Sequence, residues 1–229
     1  MKIGGIQKVS LIDYPGKIGA TVFTQGCNFR CPYCHNPDLV DPAQYGDTIP
    51  EEQVLAFLER RIGKLEAVTV TGGEPTLQKD LARFLGTLKG MGYLIKLDTN
   101  GSNPDLLELL VNRRLVDYLA MDIKGPLARY AEIASVKTDT SNILKSIEVI
   151  ETSGIEHEFR TTVVRSQIDI QDLLSVARLI DKSSLYVLQP FVPARALKRA
   201  FLSESSYSPL EFSIIREKLK NELPRVIIR

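Results

Sequence analysis

Short apolar runs rich in β-branched residues alternate along the chain with stretches whose apolar residues recur at helical spacing. The apolar runs predict six buried strands, at residues 19–26, 67–71, 93–99, 116–123, 158–164 and 185–191. The amphipathic stretches predict helices at residues 51–62, 78–91, 105–112, 141–153 and 169–181. This strand–helix alternation predicts a parallel sheet with right-handed crossovers.

The number of predicted strand–helix units indicates whether the sheet can close into a barrel. A closed eight-fold barrel usually needs about 250 residues, whereas this chain has 229. We therefore expect an α/β fold, a partial (β/α)6 TIM-like barrel with mostly parallel strands. We expect a single domain over residues 1–229, made of an N-terminal extension (1–18), a barrel core (19–191) and a C-terminal segment (192–229). Its last residues, 225–229, could form one more strand or an edge.

Composition and charge narrow the class of protein. The chain is 44% hydrophobic and 25% charged with a net charge of +1, so no overall field directs it to nucleic acid or to an anionic membrane. No apolar run approaches the roughly 18 residues of a membrane span. The first residues also lack the pattern of a secretion signal. We expect a cytoplasmic protein without nucleic-acid or membrane partners.

All cysteines of the chain, three in number, fall between positions 27 and 34 in the run CNFRCPYC. An odd, closely spaced set does not make a disulfide framework, and ligand or redox thiols in a reducing compartment fit better. Four cysteines would saturate every iron of a [4Fe–4S] cube. Cys27, Cys31 and Cys34 would leave one iron open for a chelating small molecule, as catalytic metal sites do.

Two other interpretations of these thiols remain at this point. Cys31 and Cys34 alone resemble a glutaredoxin dithiol, although that gives Cys27 no role. With His35, the three cysteines could instead form a zinc knuckle, although adjacent Cys34 and His35 would be an awkward pair of ligands. His35 is expected to be a loop residue.

The second predicted strand closes with the run Thr-Gly-Gly-Glu-Pro. Gly72 and Gly73 let the backbone approach a ligand closely, and the carboxylate of Glu74 can accept hydrogen bonds from an ammonium group. Taken alone, the run is better explained as a tight turn before a helix. Its position matters, because ligands of parallel sheets bind beyond the carboxyl ends of the strands.

Charged residues occupy the later strands. Asp98 and Thr99 end the third strand, Asp122 and Lys124 end the fourth, and Arg160 lies within the fifth. Buried parallel strands seldom carry charges, so these groups are either paired with one another or directed at ligands. A pair between Asp122 and Lys124, and a salt bridge from Arg160 to one of the aspartates, are the structural alternatives to ligand binding.

Together these motifs resemble the radical SAM superfamily, whose members cleave S-adenosylmethionine (SAM). The 3-then-2 cysteine spacing, the aromatic Tyr33 before the last cysteine and the GGEP run match its signatures. With LDTNG, MDIK and the arginine-bearing fifth strand, they are similar to activating enzymes of glycyl radical enzymes, of which pyruvate formate-lyase activating enzyme is the familiar member. The stretch 5–42 looks most like anaerobic ribonucleoside-triphosphate reductase activating proteins. The resemblance is strong to about residue 124 and weaker beyond it.

The resemblance implies a [4Fe–4S] cluster and SAM as cofactors. It implies that Gly72, Gly73 and Glu74 hold the methionine amino group and that the backbone of Tyr33 contacts the adenine.

It further implies roles for the strand-end charges. Asp98 and Thr99 would lie near the methionine carboxylate or an associated monovalent cation. Asp122, Lys124 and Arg160 would serve SAM or the substrate backbone.

The implied reaction is reductive SAM cleavage to a 5′-deoxyadenosyl radical, with an electron from a flavodoxin or ferredoxin-type donor. The resemblance implies that the outcome is a glycyl radical on a partner enzyme, an anaerobic ribonucleotide reductase. Two features depart from known activating enzymes: no cysteines for a ferredoxin-like insert follow, and residues 189–195 (QPFVPAR) stand where pyruvate formate-lyase activating enzyme has a histidine-containing segment.

Two further functions and one surface stay open. A radical SAM enzyme with a small-molecule substrate, such as a deazapurine precursor, is one alternative, and a non-catalytic zinc or redox protein is the other. Arg195, Lys198 and Arg199 form either a solvated helix face or a docking surface for an acidic partner.

Overall fold

The computed structural model describes residues 1–229 and contains one eight-stranded sheet. The strands lie in the sheet in their order along the chain. They are β1 (Ile3–Ser10), β2 (Gly19–Thr24), β3 (Ala67–Gly72), β4 (Leu94–Thr99), β5 (Tyr118–Asp122), β6 (Glu156–Val163), β7 (Leu185–Pro190) and β8 (Val226–Ile228). Strands β2 to β8 are parallel, and β1 pairs antiparallel with β2.

Helices connect the parallel strands. They are α1 (Pro37–Val40), α2 (Glu51–Glu59), α3 (Leu81–Gly90), α4 (Pro104–Asn112), α5 (Tyr130–Ala134), α6 (Thr140–Thr152), α7 (Ile170–Ala177) and α8 (Pro209–Leu219). Short 3₁₀ turns lie at Pro42–Gln44, Pro75–Leu77, Leu127–Arg129 and Arg199–Ser203. Local caps set several helix starts: Asn103 accepts a hydrogen bond from the backbone of Leu106, and Asp169 forms a capping box with Asp172.

The predicted α/β fold with mostly parallel strands is confirmed. The sheet does not close, because β1 and β8 do not pair with each other, which agrees with a partial barrel. It has seven parallel strands where six were predicted, since the C-terminal segment adds β8 beside β7. The N-terminal extension adds the antiparallel β1, for which no strand was predicted.

The main hydrophobic core fills the space between the sheet and its helices. Buried side chains of α3, such as Phe84 and Leu88, pack with β-branched residues of the strands, such as Val68 and Ile95. A smaller cluster closes the amino-terminal end of the sheet, where the ring of Tyr14 lies 5.8 Å from that of Tyr118. None of the helices is both long and apolar enough to cross a membrane.

Candidate active site

The carboxyl ends of the parallel strands surround a cavity of about 230 Å³. All the residues that the sequence assigned to the cluster and to SAM line this cavity: Cys27, Cys31, Tyr33, Cys34, Gly72, Gly73, Glu74, Asp98, Thr99, Asp122, Lys124 and Arg160. They come from β3 to β6 and from the loop after β2, so residues far apart in the chain meet at one edge of the sheet, as ligand sites of parallel sheets do.

The cysteine loop is held by its own backbone and by one arginine. The guanidinium of Arg30 donates hydrogen bonds to the carbonyl oxygens of Cys27 and Phe29, at 2.6 and 2.8 Å. The amide of Cys34 donates to the carbonyl of Cys31 at 3.0 Å, which closes a turn between two of the thiols. The loop is therefore shaped before any ligand binds.

All three thiols are free; Cys31 is buried, and Cys27 and Cys34 are partly buried. Burial raises the pKa of Cys27 to about 12, with a further contribution from the nearby carboxylate of Glu74. Burial also raises the pKa of Cys31 and of Cys34, while the ammonium of Lys124 acts in the opposite direction on both. Without a metal these thiols stay protonated at neutral pH, and a metal that binds them must displace the protons.

The tyrosine within the loop points into the protein. The hydroxyl of Tyr33 is buried without a well-formed hydrogen bond, yet it lies close enough to Cys31 to lower the pKa of that thiol. A buried hydroxyl beside a thiol is an available donor for a thiolate.

His35 does not face the thiols as a fourth metal ligand. Its Nε2 lies 2.9 Å from the carbonyl oxygen of Val192, and its ring stacks on Phe191 with the centroids 5.3 Å apart. No three histidine, cysteine, aspartate or glutamate side chains converge on a position suited to a single ion. Thiolates on one zinc lie within about 4 Å of each other, because Zn–S bonds are about 2.3 Å long. This arrangement argues against the zinc knuckle and leaves His35 as a loop residue.

Two glycines bring the end of β3 against the end of β2. A Cβ on Gly73 would lie 2.1 Å from the carbonyl oxygen of Gly26, and one on Gly72, whose φ is +112°, would lie 2.4 Å from the amide nitrogen of Thr24. The amide of Gly73 donates to the carbonyl of Thr24, and that of Glu74 to the carbonyl of Gly26, both at 2.8 Å. Only glycine allows this approach, so the GGEP turn and the cysteine loop form one rigid wall.

Glu74 is a buried carboxylate without a cationic partner. It accepts hydrogen bonds from the hydroxyls of Thr76 and Thr99, at 2.6 and 2.8 Å, and from the backbone amides of Thr76 and Asn100, at 3.0 and 2.6 Å. It forms no salt bridge. Burial raises the pKa of Glu74, and the hydrogen bonds from these donors offset only part of that rise. Three of the four bonds go to Oε1, which leaves Oε2 with capacity for another donor.

On the facing strands the charged residues come in pairs two positions apart. Asp98 follows Lys96 on β4, Lys124 lies two residues after Asp122 at the end of β5, and Arg160 follows Glu158 on β6. Residues two apart share one face of a strand, and here that face lines the interior of the partial barrel. The structure therefore brings several charged side chains together in one place.

Arg160 joins these strands. Its Nε lies 2.8 Å from Oδ1 of Asp122, and its Nη1 lies 3.3 Å from Oδ2 of Asp98. Asp122 also accepts a hydrogen bond from Lys124 at 3.1 Å, and Asp98 accepts one from Lys96. Both pairings considered as structural alternatives are thus present, in groups that line the cavity.

The neighbouring cations decide the charge state of the two aspartates. Burial alone would raise the pKa of Asp122, but Arg160 and Lys124 lower it well below its ordinary value. Burial likewise opposes ionisation of Asp98, and Arg160 with Lys96 lowers its pKa. Conversely, although burial disfavours the charged guanidinium, the aspartates raise the pKa of Arg160. Asp98, Asp122 and Arg160 are therefore charged at neutral pH.

A deeper layer of charges lies beneath this group, and sequence reasoning missed it. The carboxylate of Glu158 is completely buried and receives two hydrogen bonds from the guanidinium of Arg229, at 2.9 and 2.8 Å. It also accepts one from the hydroxyl of Tyr118 at 3.2 Å. The rule that flagged Asp98, a charge within a buried strand, applies equally to Lys96 and Glu158 and could have found both.

On this wall the charged groups that line the cavity balance. They are the cations Lys124 and Arg160 and the anions Asp98 and Asp122. Lys96, Glu158 and Arg229 extend the network away from the cavity, and the side chain of Arg229 is 42% exposed. Glu74 on the other wall is a carboxylate without a cation, so a ligand with both an ammonium group and a carboxylate could meet Glu74 on one side and Lys124 or Arg160 on the other.

The donor set therefore fits the cofactors that the sequence implied. Three soft thiol ligands suit iron and sulfur, and the unpaired carboxylate of Glu74 together with the cations Lys124 and Arg160 suits the amino-acid end of SAM. The glycine turn leaves the backbone free to approach that end closely.

Beyond β7 the chain crosses the mouth of the cavity and is attached to the cysteine loop. The amide of Lys198 donates to the carbonyl of Pro32 at 2.9 Å, and Arg195 pairs with Asp38 at 2.9 Å. His35 adds its contacts with Phe191 and Val192. The two segments thus share one side of the mouth.

Comparison with known proteins agrees with this geometry. Residues 21–180 match the Radical SAM superfamily. A protein of Methanocaldococcus jannaschii, provisionally named a glycyl-radical enzyme activating enzyme, is 33% identical over 99% of this chain and 95% of its own length. A pyruvate formate-lyase-activating enzyme of Clostridium pasteurianum is 30% identical over 83% of this chain and 82% of its own.

Other similar proteins act differently. A 7-carboxy-7-deazaguanine synthase of Thermococcus kodakarensis is 26% identical over 73% of this chain and 72% of its own. Among solved structures, a radical SAM methyltransferase from Sphaerobacter thermophilus has the same fold, with a TM-score of 0.72 and 14% identity over 94% of this chain and 67% of that one.

Proposed function

The chain belongs to the radical SAM superfamily, and from that premise we propose that it is an activating enzyme that installs a glycyl radical on a partner enzyme, an anaerobic ribonucleoside-triphosphate reductase. The observation that carries the proposal is the unpaired carboxylate of Glu74 in the same cavity as Lys124, Arg160 and three free thiols, because this arrangement suits SAM. The similarity to activating enzymes over nearly the whole chain supports the choice among radical SAM reactions.

In this proposal each wall has a separate task. Cys27, Cys31 and Cys34 bind a [4Fe–4S] cluster and leave one iron open for SAM. Oε2 of Glu74 accepts a hydrogen bond from the methionine ammonium group, and Lys124 attracts the carboxylate. When bound and reduced by one electron, from a flavodoxin or ferredoxin-type donor, the cluster with SAM supplies a 5′-deoxyadenosyl radical.

Other residues keep these groups in fixed positions and limit the access of water to them. Gly72 and Gly73 keep the backbone close enough for the methionine end to approach, and Arg160 holds Asp98 and Asp122 at fixed positions. The strand ends partly enclose the site, which would restrict the access of water to the reactive species. Tyr33 and Thr99 complete the wall on which the nucleoside and methionine parts would rest.

The partner would approach at the mouth of the cavity. Lys198 and Arg199 form no salt bridge within the chain, and Val192, beside them, is 58% exposed. An exposed apolar side chain next to free cations suits an acidic protein segment. The free thiols agree with a reducing, cytoplasmic location.

The test is anaerobic reconstitution with iron and sulfide, followed by addition of SAM, dithionite and a co-encoded glycyl radical enzyme. We expect 5′-deoxyadenosine to form and a glycyl doublet to appear in the EPR spectrum of the partner. Cys34→Ala should lose the cluster absorption, SAM cleavage and the doublet together. Glu74→Gln should keep the cluster and bind SAM more weakly, whereas Glu132→Gln, a change at an exposed surface glutamate, should behave like wild type.

A second candidate is a radical SAM enzyme with a small-molecule substrate. The similarity to a 7-carboxy-7-deazaguanine synthase favours it, although that similarity is lower and covers less of the chain than the similarity to the activating enzyme homologue. SAM cleavage without a glycyl doublet on any co-encoded glycyl radical enzyme, but stimulated by a purine-like compound or a deazapurine precursor, would favour this second function.

A further inference from the structure

The loop after β4 contains a buried amide side chain that faces the cysteine loop. Asn100 is 5% exposed. Its side-chain nitrogen lies 2.9 Å from Oδ1 of Asn28 and 3.9 Å from Sγ of Cys27. The cysteine and the asparagine are separated by more than seventy residues in the chain, so their approach depends on the tertiary fold.

The orientation of this amide is determined by its neighbours. Oδ1 of Asn100 accepts a hydrogen bond from the backbone amide of Ser102 at 2.9 Å, so Oδ1 faces away from the thiol and Nδ2 faces towards it. One N–H of Nδ2 is used by Asn28. The other is left for Cys27, because a carboxamide has two N–H donors.

The backbone of the same residue is anchored to the opposite wall. The amide nitrogen of Asn100 donates to Oε2 of Glu74 at 2.6 Å. A rotation of the side chain away from Cys27 would have to break its bonds to Ser102 and Asn28, while a shift of the backbone would break the bond to Glu74. The donor is thus fixed in position before any cluster binds.

A fixed donor at a ligand sulfur changes the energetics of the cluster. Hydrogen bonds to sulfur are among the factors that set the reduction potential of iron–sulfur clusters, because they stabilise the more negative, reduced form. Cys27 also accepts a hydrogen bond from the backbone amide of Phe29 at 3.4 Å. That donor belongs to the cysteine loop itself, whereas Asn100 is a side chain that can be replaced.

We propose that Asn100 is a positioning residue that holds the Cys27 thiolate by an N–H···S hydrogen bond and thereby raises the reduction potential of the cluster. The inference rests on the cluster and on the family of the chain, not on the identity of the partner. Failure to find a glycyl radical on any partner would therefore leave it untouched.

The test is the midpoint potential of the reconstituted cluster, followed by EPR during a redox titration without SAM. Asn100→Leu has a similar size and no donor. We expect the ratio of reduced to oxidised cluster at a given potential to fall about tenfold, which is a shift of about 59 mV to more negative values for a one-electron couple. Asn100→Asp, which replaces the donor by a negative charge, should shift the potential further in the same direction.

Ser102→Ala is the matched control. It removes the hydroxyl that accepts a hydrogen bond from Asn28 at 2.9 Å and keeps the backbone amide that orients Asn100, so its potential should equal that of wild type. If Asn100→Leu assembles no cluster, Asn100→Asp, the closer match in shape, decides the question. A potential unchanged in the loaded Asn100 variants, or a shift equally large in Ser102→Ala, would overturn the proposal.

Discussion

Replacement of Arg160 by methionine should strongly destabilise the cluster-free protein. The guanidinium is 12% exposed and bridges Asp122 at 2.8 Å and Asp98 at 3.3 Å. Methionine can fill much of the space but leaves two buried carboxylates without their shared cation. Removal of one partner from a buried ion pair costs about 3–5 kcal/mol when the other charge is left unpaired. Because Asp98 keeps Lys96 and Asp122 keeps Lys124, we expect a penalty at the lower end of that range, which is still a large part of the roughly 5–15 kcal/mol that stabilise a typical domain.

The penalty should depend on pH, and the sign follows from the two aspartates. Arg160 lowers the pKa of Asp98 and of Asp122, so its contribution to stability is present above the ordinary aspartate pKa of about 3.9 and is lost as pH falls through the lowered values. In the variant that contribution is missing at every pH. The difference from wild type should therefore be largest near neutral pH and should narrow as the solution is acidified below about pH 4.

The assay is equilibrium unfolding in urea with the thiols kept reduced, at neutral pH and at acidic pH. Arg178→Met serves as the control, because Arg178 pairs with Glu222 at the surface and is 60% exposed, where an ion pair is worth about 0–1 kcal/mol. Arg160→Lys keeps the charge but loses the guanidinium that bonds to both aspartates, so its free energy of unfolding should lie between those of wild type and Arg160→Met. An Arg160→Met penalty below about 1 kcal/mol, equal to that of Arg178→Met and independent of pH, would refute this account of the network.

Three further perturbations test other parts of the site. Gly73→Ala should cost about 1–3 kcal/mol of stability in thermal unfolding and weaken SAM binding, because the added Cβ would overlap a main-chain oxygen. Gly86→Ala on α3 is the control: its added Cβ would meet nothing closer than 3.9 Å, so it should stabilise the protein by about 0.5–1 kcal/mol. His35→Ala should speed hydrogen–deuterium exchange in residues 191–199 without affecting α7, since His35 attaches that segment to the cysteine loop. Equal exchange rates in the wild type and the variant would mean that the Lys198–Pro32 bond and the Arg195–Asp38 pair hold the segment without His35. Because burial raises the pKa of Cys27 to about 12, iron–sulfur loading should release protons and strengthen as pH rises from 7 to 9, and loading insensitive to pH in an iron titration would contradict the assigned ligands.

Much of the fold could be predicted because its signals are local. The strands β2 to β7 are short apolar runs, and the helices between them show apolar residues at helical spacing. The rule that ligands bind at the carboxyl ends of parallel strands then places motifs from distant parts of the chain at one edge. This is why the cysteine loop, the GGEP turn and the strand-end charges could be assigned to one site without a structure.

The edges of the sheet could not be predicted in the same way. Strand β1 contains two glycines and two exposed polar residues, Gln7 and Lys8, with only its first and last positions buried, so it has no clear alternation of apolar and polar residues. It forms because β2 offers an unpaired edge. The role of Arg229 likewise depends on β8 pairing with β7 in a particular register, in which Val226 lies opposite Tyr186, and no short-range pattern contains that information.

The burial of the interior charges reduces the stability of the fold, and this loss helps to explain their role. A buried ion network is weak evidence for stability, because taking charges out of water is expensive and apolar residues of similar volume often serve as well. Yet three neighbouring strands of this sheet each place two charged residues on the inner face. In the lower layer Glu158 lies between Arg160 and Arg229. Arg160 is thus held by Glu158 from below and by Asp98 and Asp122 from the sides. Lys124 and Arg160 are therefore held at fixed positions in the cavity wall, where an incoming carboxylate can meet them without reorganisation, and the stability lost to desolvation is the cost of that preorganisation.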